Sequence, residues 1–424
     1  MKVYVAPERT SWHQITKRPV LDTAPLMATV QQVFEQVKAL GDTALLSYTQ
    51  QFDRVALNNL VVTPAEVASA IAHLPQGVKQ AIDTAASNIR TFHTKQLQTP
   101  EVIETMPGVQ CWRKSIGIEK VGLYIPGGSA PLFSTVLMLA IPASIAGCKE
   151  IVLCTPPGKD GTIHPAILYA AHITGVTTIV KLGGIQAIAA MSIGTATVPR
   201  VYKIFGPGNQ YVTAAKQYAQ QLGIAIDMPA GPSEVCVYAD ASAKPAFVAA
   251  DLLSQAEHGA DSQVLLVVND EQVLPPIQAA LEEQLAMLPR SVMATSALHH
   301  SAAVVLPNIE DAFALINSYA PEHFIISTNN AVALAEKVIN AGSVFIGHYT
   351  PESVGDYASG TNHTLPTNGF ATAYSGVSVD SFVKKVTFQQ LTKAGLEQLA
   401  DTVVTMATAE GLTAHANAVQ VRLK

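Results

Sequence analysis

The sequence predicts an α/β fold built on two parallel β-sheets that are covered by helices. At 424 residues, the chain is too long for a single hydrophobic core. From about residue 119 onward, short β-rich runs alternate with helical runs, and this alternation occurs in two successive units. Hydrophobic residues make up 49% of the chain and charged residues 14%, so we expect extensive burial within the chain or at a subunit interface.

The first βα unit contains glycine-rich turns at the ends of its strands. We predict strands at 121–125, 151–154, 178–181 and 201–205, and helices at 132–146, 164–173 and 185–193. The turns at 126–129, 183–186 and 206–209 follow three of these strands. Glycine lets a phosphate approach the backbone closely, and ligands of open α/β sheets bind at these strand ends. However, no G-x-G-x-x-G fingerprint is present, and taken alone such turns are more often ordinary connections.

The second unit and the two ends of the chain complete the predicted fold. Its strands are expected at 234–238, 263–268, 303–306, 324–327 and 343–346, and its helices at 246–257, 276–287, 309–319 and 331–341. The first ~100 residues favour helices at 24–40 and 65–90, with a break at 75–77, and the tail favours helices at 389–407 and 410–421. We therefore predict two incomplete Rossmann-like, parallel-sheet domains with small helical N- and C-terminal extensions.

Composition excludes several classes of protein. A net charge of -6 without a Lys/Arg cluster argues against a nucleic-acid partner. The longest apolar tract, 131–148, contains Pro142 and Gly147 and predicts a buried helix rather than a membrane span. No signal peptide is evident, and four cysteines without a CxxC pair indicate free thiols in a reducing cytoplasm. Without HExxH, GxSxG or Walker motifs, a zincin protease, a serine hydrolase and a P-loop NTPase are disfavoured.

Four polar stretches offer groups for catalysis or metal binding. Gln255 and His258 lie three residues apart at the end of a predicted helix, so both side chains point the same way. Glu322 and His323 place two proton-transfer groups side by side. Asp356 lies in a glycine-flanked polar loop, and Glu410 and His415 lie near the C-terminus. For each stretch alone, a hydrogen-bonded helix end, a tethered loop or a solvated helix face is the commoner explanation.

Considered together, four of the polar residues form a candidate metal shell. Gln255, His258, Asp356 and His415 would supply nitrogen and oxygen ligands without a thiolate. Such a set suits zinc in a catalytic role and tolerates manganese or cobalt.

The ordered set of motifs resembles the histidinol dehydrogenase family. The matching stretches are 121–128, 203–209, 226–234, 253–259, 320–323, 355–363 and 409–415, and they follow the family's order. The resemblance implies a four-electron, NAD-dependent oxidation of L-histidinol to L-histidine through L-histidinaldehyde, the final step of histidine biosynthesis. It also implies a homodimer with shared active sites and one Zn²⁺ per subunit that holds the substrate.

The resemblance assigns a role to each matching residue. Zinc ligands are expected at Gln255, His258, Asp356 and His415, and the catalytic residues are Glu322 and His323. NAD contacts are expected at Tyr124, Gln186 and Asn209. Substrate contacts are expected at the four zinc ligands, at His323, and at Ser233 and Glu410, with Glu410 and His415 reaching into the partner's site.

We expect four segments in the chain. These are an N-terminal arm over 1–21, a larger α/β domain over 22–123 and 234–377 that carries the zinc and catalytic residues, an NAD-binding Rossmann-like domain over 124–233, and a helical dimerisation tail over 378–424. Three alternative functions stay open: a related zinc- and NAD-dependent dehydrogenase of another polar alcohol, a zinc hydrolase that uses Glu322, and a ligand-binding module without catalysis.

Overall fold

The computed structural model describes residues 1–19, 24–127, 131–228 and 231–424. Four residues of the predicted motifs, Gly128, Ser129, Pro229 and Ala230, lie outside these ranges. Among the described helices, none combines the length and apolar character that crossing a membrane requires.

The strands of the described residues form three sheets. In chain order they are β1 (Lys2–Val5), β2 (Val102–Met106), β3 (Val109–Gly117), β4 (Lys120–Tyr124), β5 (Glu150–Thr155), β6 (Thr178–Lys181), β7 (Lys203–Phe205), β8 (Ala225–Ile226), β9 (Glu234–Ala239), β10 (Gln263–Val268), β11 (Ala302–Val305), β12 (His323–Ser327), β13 (Ser343–Ile346) and β14 (Val383–Leu391). Two sheets are parallel, with strand orders β6-β5-β4-β7-β8 and β1-β11-β10-β9-β12-β13. The third sheet, β14-β3-β2, is antiparallel.

Helices connect and cover these sheets. They are α1 (Trp12–Ile15), α2 (Ala24–Leu40), α3 (Asp42–Tyr48), α4 (Pro64–His73), α5 (Gln76–Thr94), α6 (Phe133–Ile145), α7 (Pro165–Thr174), α8 (Gly184–Ile193), α9 (Gln210–Gln221), α10 (Pro245–Ala256), α11 (Leu274–Met287), α12 (Ser291–His299), α13 (Ile309–Tyr319), α14 (Ala331–Ala335), α15 (Glu352–Tyr357), α16 (Lys393–Ala409) and α17 (Thr413–Gln420). A π-helix, Thr49–Asp53, continues α3.

The five-stranded sheet buries both faces because its side chains alternate between two cores. Leu123 and Ile151 face a core built with α5, α6 and α7, whereas Val152 and Val180 face a core built with α2, α3, α8 and α9. Residues 24–94 therefore pack against this sheet. The predicted domain boundaries stay a prediction.

The six-stranded sheet is likewise covered on both faces. Val264 and Leu266 pack with α10, α11 and α12, whereas Cys236 and Leu265 pack with α1 and α13. The N-terminal strand β1 forms the edge of this sheet, with Lys2 opposite Ala302. The parallel α/β class that the sequence predicts is thus confirmed.

Several predicted boundaries and elements were wrong, two of them where strand-pairing partners lie far away in the chain. Residues 389–391 belong to β14, which pairs with β3 over nine positions, and the helix begins only at Lys393. The mainly helical prediction for the first ~100 residues missed β1, and the helix predicted at 331–341 ends at Ala335. The predicted break at 75–77 is confirmed, since α4 ends at His73 and α5 begins at Gln76.

Candidate active site

A large cavity opens at the carboxyl ends of the five-stranded sheet. Its volume is about 1060 Å³, and the three predicted NAD contacts, Tyr124, Gln186 and Asn209, all line it. The glycine turns after β4 and β6 contribute Gly127, Gly183 and Gly184 to its wall. The structure therefore brings together turns that the sequence placed at three separate strand ends, as expected for parallel strands.

Local hydrogen bonds fix the polar groups of this cavity. The Tyr124 hydroxyl accepts a hydrogen bond from the Gly184 amide at 3.1 Å, and burial raises the pKa of Tyr124 to about 12. Asn209 caps α9 by accepting from two backbone amides, which leaves its Nδ2 group available to a ligand. Gln186 is buried, and its Oε1 has no hydrogen-bond partner among the described residues. An unsatisfied buried amide oxygen calls for a ligand donor or a water.

The predicted catalytic pair lies at the opposite, amino edge of the six-stranded sheet. Glu322 precedes β12 and His323 begins it, and both side chains are buried. The Glu322 Oε2 atom accepts a hydrogen bond from the Glu234 amide at 2.9 Å, and the His323 Nδ1 atom lies 3.6 Å from that carboxylate oxygen. Ser233 directly precedes Glu234, so this predicted substrate contact is next to the pair.

Electrostatics keep a proton on this pair. His323 Nδ1 faces the carbonyl oxygen of Glu234 at 3.1 Å and Nε2 faces Asp356 Oδ1 at 3.3 Å, so both ring nitrogens point at acceptors. Burial alone would lower the pKa of the His323 imidazole, but the charge of Glu322 and the hydrogen bond to Asp356 raise it. Burial raises the pKa of Glu322. A carboxyl and an imidazole that lie this close and influence each other's pKa suit general acid–base chemistry.

Glu352 is a member of the site that sequence reasoning missed. The cluster consists of the carboxylates of Glu352 and Asp356 and the imidazole of His323. Each group offers one ligand atom, and these atoms all lie within 4.8 Å of one another. Glu352 is buried in α15, one helical turn before Asp356. The i, i+4 spacing to Asp356 was a usable signal, but the glycine-rich composition of this segment favours a polar loop over a helix.

Gln255 joins this cluster through Glu352. The Gln255 Nε2 group donates to Glu352 Oε2 at 2.8 Å, and the Gln255 side chain is buried. This hydrogen bond leaves Oε1 without a partner among the described atoms. His258 follows three residues later; burial lowers the pKa of its imidazole, partly offset by the charge of Asp356. The neutral form that a metal ligand needs is thereby favoured.

The last two predicted residues lie apart from this cluster. Glu410 directly follows α16 and His415 lies in α17, and both are exposed in the single chain. Helix α17 packs mainly on α16. In the described part of the chain, neither side chain has a hydrogen bond or an ion pair to the other site residues.

Helix α6 connects the cavity with the acid–base pair. The Thr135 hydroxyl lies 3.0 Å from His363 Nε2, and His363 Nδ1 lies 2.7 Å from the carbonyl oxygen of Asp356. Asn362 also donates to the carbonyl oxygen of Met138 at 2.6 Å. Helix α6 follows the cavity turn after β4, so this one helix links that turn with the cluster around His323.

An α/β fold that combines a nucleotide-sized cavity at strand ends with a buried acid–base pair is typical of dinucleotide-dependent oxidoreductases. Residues 16–423 match the family model described as histidinol dehydrogenase. The chain is 56% identical over 423 residues to the histidinol dehydrogenase of Bacteroides thetaiotaomicron, covering 100% of this chain and 99% of that relative. It is 52% identical to the chloroplastic histidinol dehydrogenase of Arabidopsis thaliana, covering 100% and 92%.

A solved structure agrees with these relatives. The crystal structure of histidinol dehydrogenase from Elizabethkingia anophelis is 55% identical, with a TM-score of 0.98 over 100% of this chain and 98% of that one. The chain therefore belongs to the histidinol dehydrogenase family, NAD-dependent oxidoreductases that catalyse the final step of histidine biosynthesis. The family prediction made from the ordered motifs is confirmed.

Proposed function

We propose that this chain oxidises L-histidinol to L-histidine in two steps at the Glu322–His323 centre, with zinc holding the substrate and two NAD+ consumed. The observation that carries this proposal is the contact of the buried pair with a ready-made set of metal ligands. His323 meets the Asp356 carboxylate and lies in one cluster with Glu352, to which Gln255 donates a hydrogen bond. Among the described residues, the Gln255 Oε1 atom has no hydrogen-bond partner.

The residues fit a divalent metal. Gln255 Oε1 is a buried oxygen without a donor among the described residues. Asp356 is partly buried, and its pKa is lowered to about 2: burial raises it, but the hydrogen bond and charge of His323 lower it further. With His258, these groups supply three of the four proposed ligands, and His415 of a second copy would supply the fourth. Zinc, when bound, would fix the imidazole and amino nitrogens of the substrate, while each NAD+ would accept one hydride.

Proton transfer in the first oxidation falls to His323. Hydride leaves the alcohol carbon as its hydroxyl proton is removed, so a base within reach of that hydroxyl is required. The resulting aldehyde has no hydroxyl. Glu322 would take a proton from a water that adds to the aldehyde carbon, and His323 would return its proton to the carbonyl oxygen to complete the hydrate. His323, neutral again, would then accept a hydroxyl proton of the hydrate as the second hydride leaves.

The site is completed by a second copy of the chain. The two helices of the C-terminal tail show few buried residues: Gly395 and Ala407 in α16, and Ala416 in α17. Met406 and Leu412 are 60% and 44% exposed, and Glu410 and His415 lie beside them in sequence. A homodimer in which this tail covers the partner's site would bury these side chains and deliver both polar residues.

Measuring NADH absorbance with purified, metal-replete chain, L-histidinol and NAD+ tests the proposal. We expect two NADH per histidinol and loss of activity with a chelator. One NADH per alcohol, or faster turnover of small polar diols, would favour the related-dehydrogenase alternative. Metal-dependent hydrolysis without NADH would favour a hydrolase, and binding without turnover would favour a non-catalytic module.

Two further experiments address assembly and location. Light scattering should give the mass of a dimer, and mixing His323-deficient with His415-deficient chains should restore part of the activity in hybrid dimers. Failure of the hybrids to recover would mean that each site is built within one chain. We also propose a cytoplasmic location, supported by four free cysteines, of which Cys154 and Cys236 are buried.

A further inference from the structure

We propose that Asp53 accepts hydrogen bonds from the adenosine ribose hydroxyls of the dinucleotide and thereby selects NAD+ over NADP+. This inference rests on the proposed binding of NAD in the cavity at the five-stranded sheet. Asp53 is not part of a family motif used above, and it comes from the N-terminal segment rather than from the sheet that it lines.

The backbone holds Asp53 at the cavity wall by an unusual local structure. The segment Thr49–Asp53 is wound as a π-helix, and the next residue, Arg54, ends it in the left-handed region at φ 59°. Short π-helical segments and non-glycine residues with positive φ are costly and concentrate at functional sites. Phe52 and Tyr48 stack within this segment, with ring centroids 5.3 Å apart, which fixes the direction of the chain.

The carboxylate of Asp53 has room for a ligand's hydroxyl donors. Gln186 Nε2 approaches Asp53 Oδ2 at the long distance of 3.5 Å, and no Lys or Arg forms an ion pair with Asp53 in the described ranges. Gln186 lies in the same cavity wall, and its Oε1 atom has no hydrogen-bond partner among the residues that the structure describes. Burial raises the pKa of Asp53 to about 6, which leaves the carboxylate mainly ionised at neutral pH.

Charge around the cavity decides between the two dinucleotides. The described lining residues include the carboxylates of Asp53 and Asp160 but neither Lys nor Arg. A 2′-phosphate on the adenosine ribose would therefore meet negative charge without a compensating cation. A 2′-hydroxyl would instead donate to the carboxylate, and hydrogen bonds with a charged partner are among the stronger ones.

The strand order indicates which ribose reaches Asp53. The acid–base centre adjoins the start of α6, directly after β4, so the reacting nicotinamide end belongs on that side. Asp53 lies instead beside Gly183, since a methyl group added at the Cα atom of that glycine would come within 3.3 Å of the Asp53 Oδ1 atom. Gly183 follows β6, the edge strand two positions from β4. The adenosine half of the dinucleotide therefore faces Asp53.

Calorimetric binding to purified, metal-replete chain without alcohol substrate tests this inference. We expect Asp53→Asn to weaken NAD+ binding roughly tenfold or more and to narrow the preference for NAD+ over NADP+ by a similar factor. Asp83→Asn is the matched control: it removes the same charge from an exposed position in α5 that does not line the cavity, and it should change neither value.

A second ligand separates ribose recognition from a structural effect. NAD+ that lacks the adenosine 2′-hydroxyl should bind wild-type chain roughly tenfold more weakly than NAD+, and Asp53→Asn should not distinguish the two. The inference would be overturned if Asp53→Asn bound NAD+ as tightly as wild type does. It would also be overturned if Asp53→Asn lost the same factor in affinity for NAD+ and for the analogue without the 2′-hydroxyl. Should Asp53→Asn not fold, equal affinity of the wild-type chain for both ligands would overturn it. If the wild-type chain does not bind NAD+ at all, the proposed function itself fails.

Discussion

The ion pair between Arg18 and Glu234 links the N-terminal arm to the acid–base centre. The Arg18 Nε and Nη2 atoms donate to the two carboxylate oxygens of Glu234 at 2.5 and 2.8 Å. Arg18 also donates to the carbonyl oxygen of Tyr319 at 2.6 Å, and its guanidinium carbon lies 4.0 Å from the centroid of the Tyr319 ring. Glu234 in turn holds Glu322 through its amide and faces His323 through its carbonyl. Loss of Arg18 should therefore affect both stability and catalysis.

The magnitude follows from burial. The side chains of Arg18 and Glu234 are 15% and 3% exposed, so Arg18→Met leaves a carboxylate buried without its cation. Removing one partner of a buried ion pair costs about 3–5 kcal/mol of the free energy of unfolding. The pair between Arg9 and Asp311 in the same arm is 67% and 34% exposed, and Arg9→Ala should cost no more than about 1 kcal/mol.

Urea denaturation of wild type, Arg18→Met and Arg9→Ala measures this difference. The double variant Arg18→Met with Glu234→Gln should regain part of the lost stability, because the buried charge is then absent. If Arg18→Met costs as little as Arg9→Ala, the claim that the arm stabilises the active site through this pair is refuted.

Four more variants test individual residues of the site and fold. His323→Asn should retain zinc, measured as metal content, yet lose about 10²–10⁴ in turnover. Glu322→Gln should slow oxidation of the aldehyde more than that of histidinol; equal loss in separate assays would contradict water activation. Glu352→Ala should weaken zinc affinity roughly 10–100-fold in chelator competition, since it releases the carboxamide that it orients. Burial raises the pKa of Glu66, but the hydrogen bonds that Glu66 accepts outweigh burial and lower this pKa below its ordinary value. The hydrogen bond from Lys181 has the largest lowering effect. Glu66→Gln should therefore cost about 1 kcal/mol at pH 7, and urea curves of variant and wild type should converge as pH falls through that lowered pKa.

Local sequence patterns predicted much of the fold and part of the active site. Residues 178–181, 263–268 and 343–346 form strands at the predicted bounds, because a buried parallel strand is a continuous apolar run that ends at turn residues. Glu322 and His323 are adjacent in the chain, so their pairing required no knowledge of the fold. The ordered motifs then identified the family.

Other features depend on contacts between residues far apart in the chain. The antiparallel pairing of β14 with β3 overrode the helical pattern of residues 389–391, since long-range hydrogen bonds and packing outweigh weak local propensity. The helical setting of Glu352, and its hydrogen bond to Gln255, were likewise hidden in a segment whose composition favours a loop.

The amino-acid order by itself determined the strand and helix pattern, the turns that border the cavity, and the adjacent acid and base. Only the tertiary structure brought Asp356 against His323, oriented Gln255 so that one oxygen is free, and placed Asp53 in the cavity of a distant sheet. The physical reason is that periodicity and turn chemistry act over a few residues, whereas the position of one side chain against another is set by how whole sheets and helices pack.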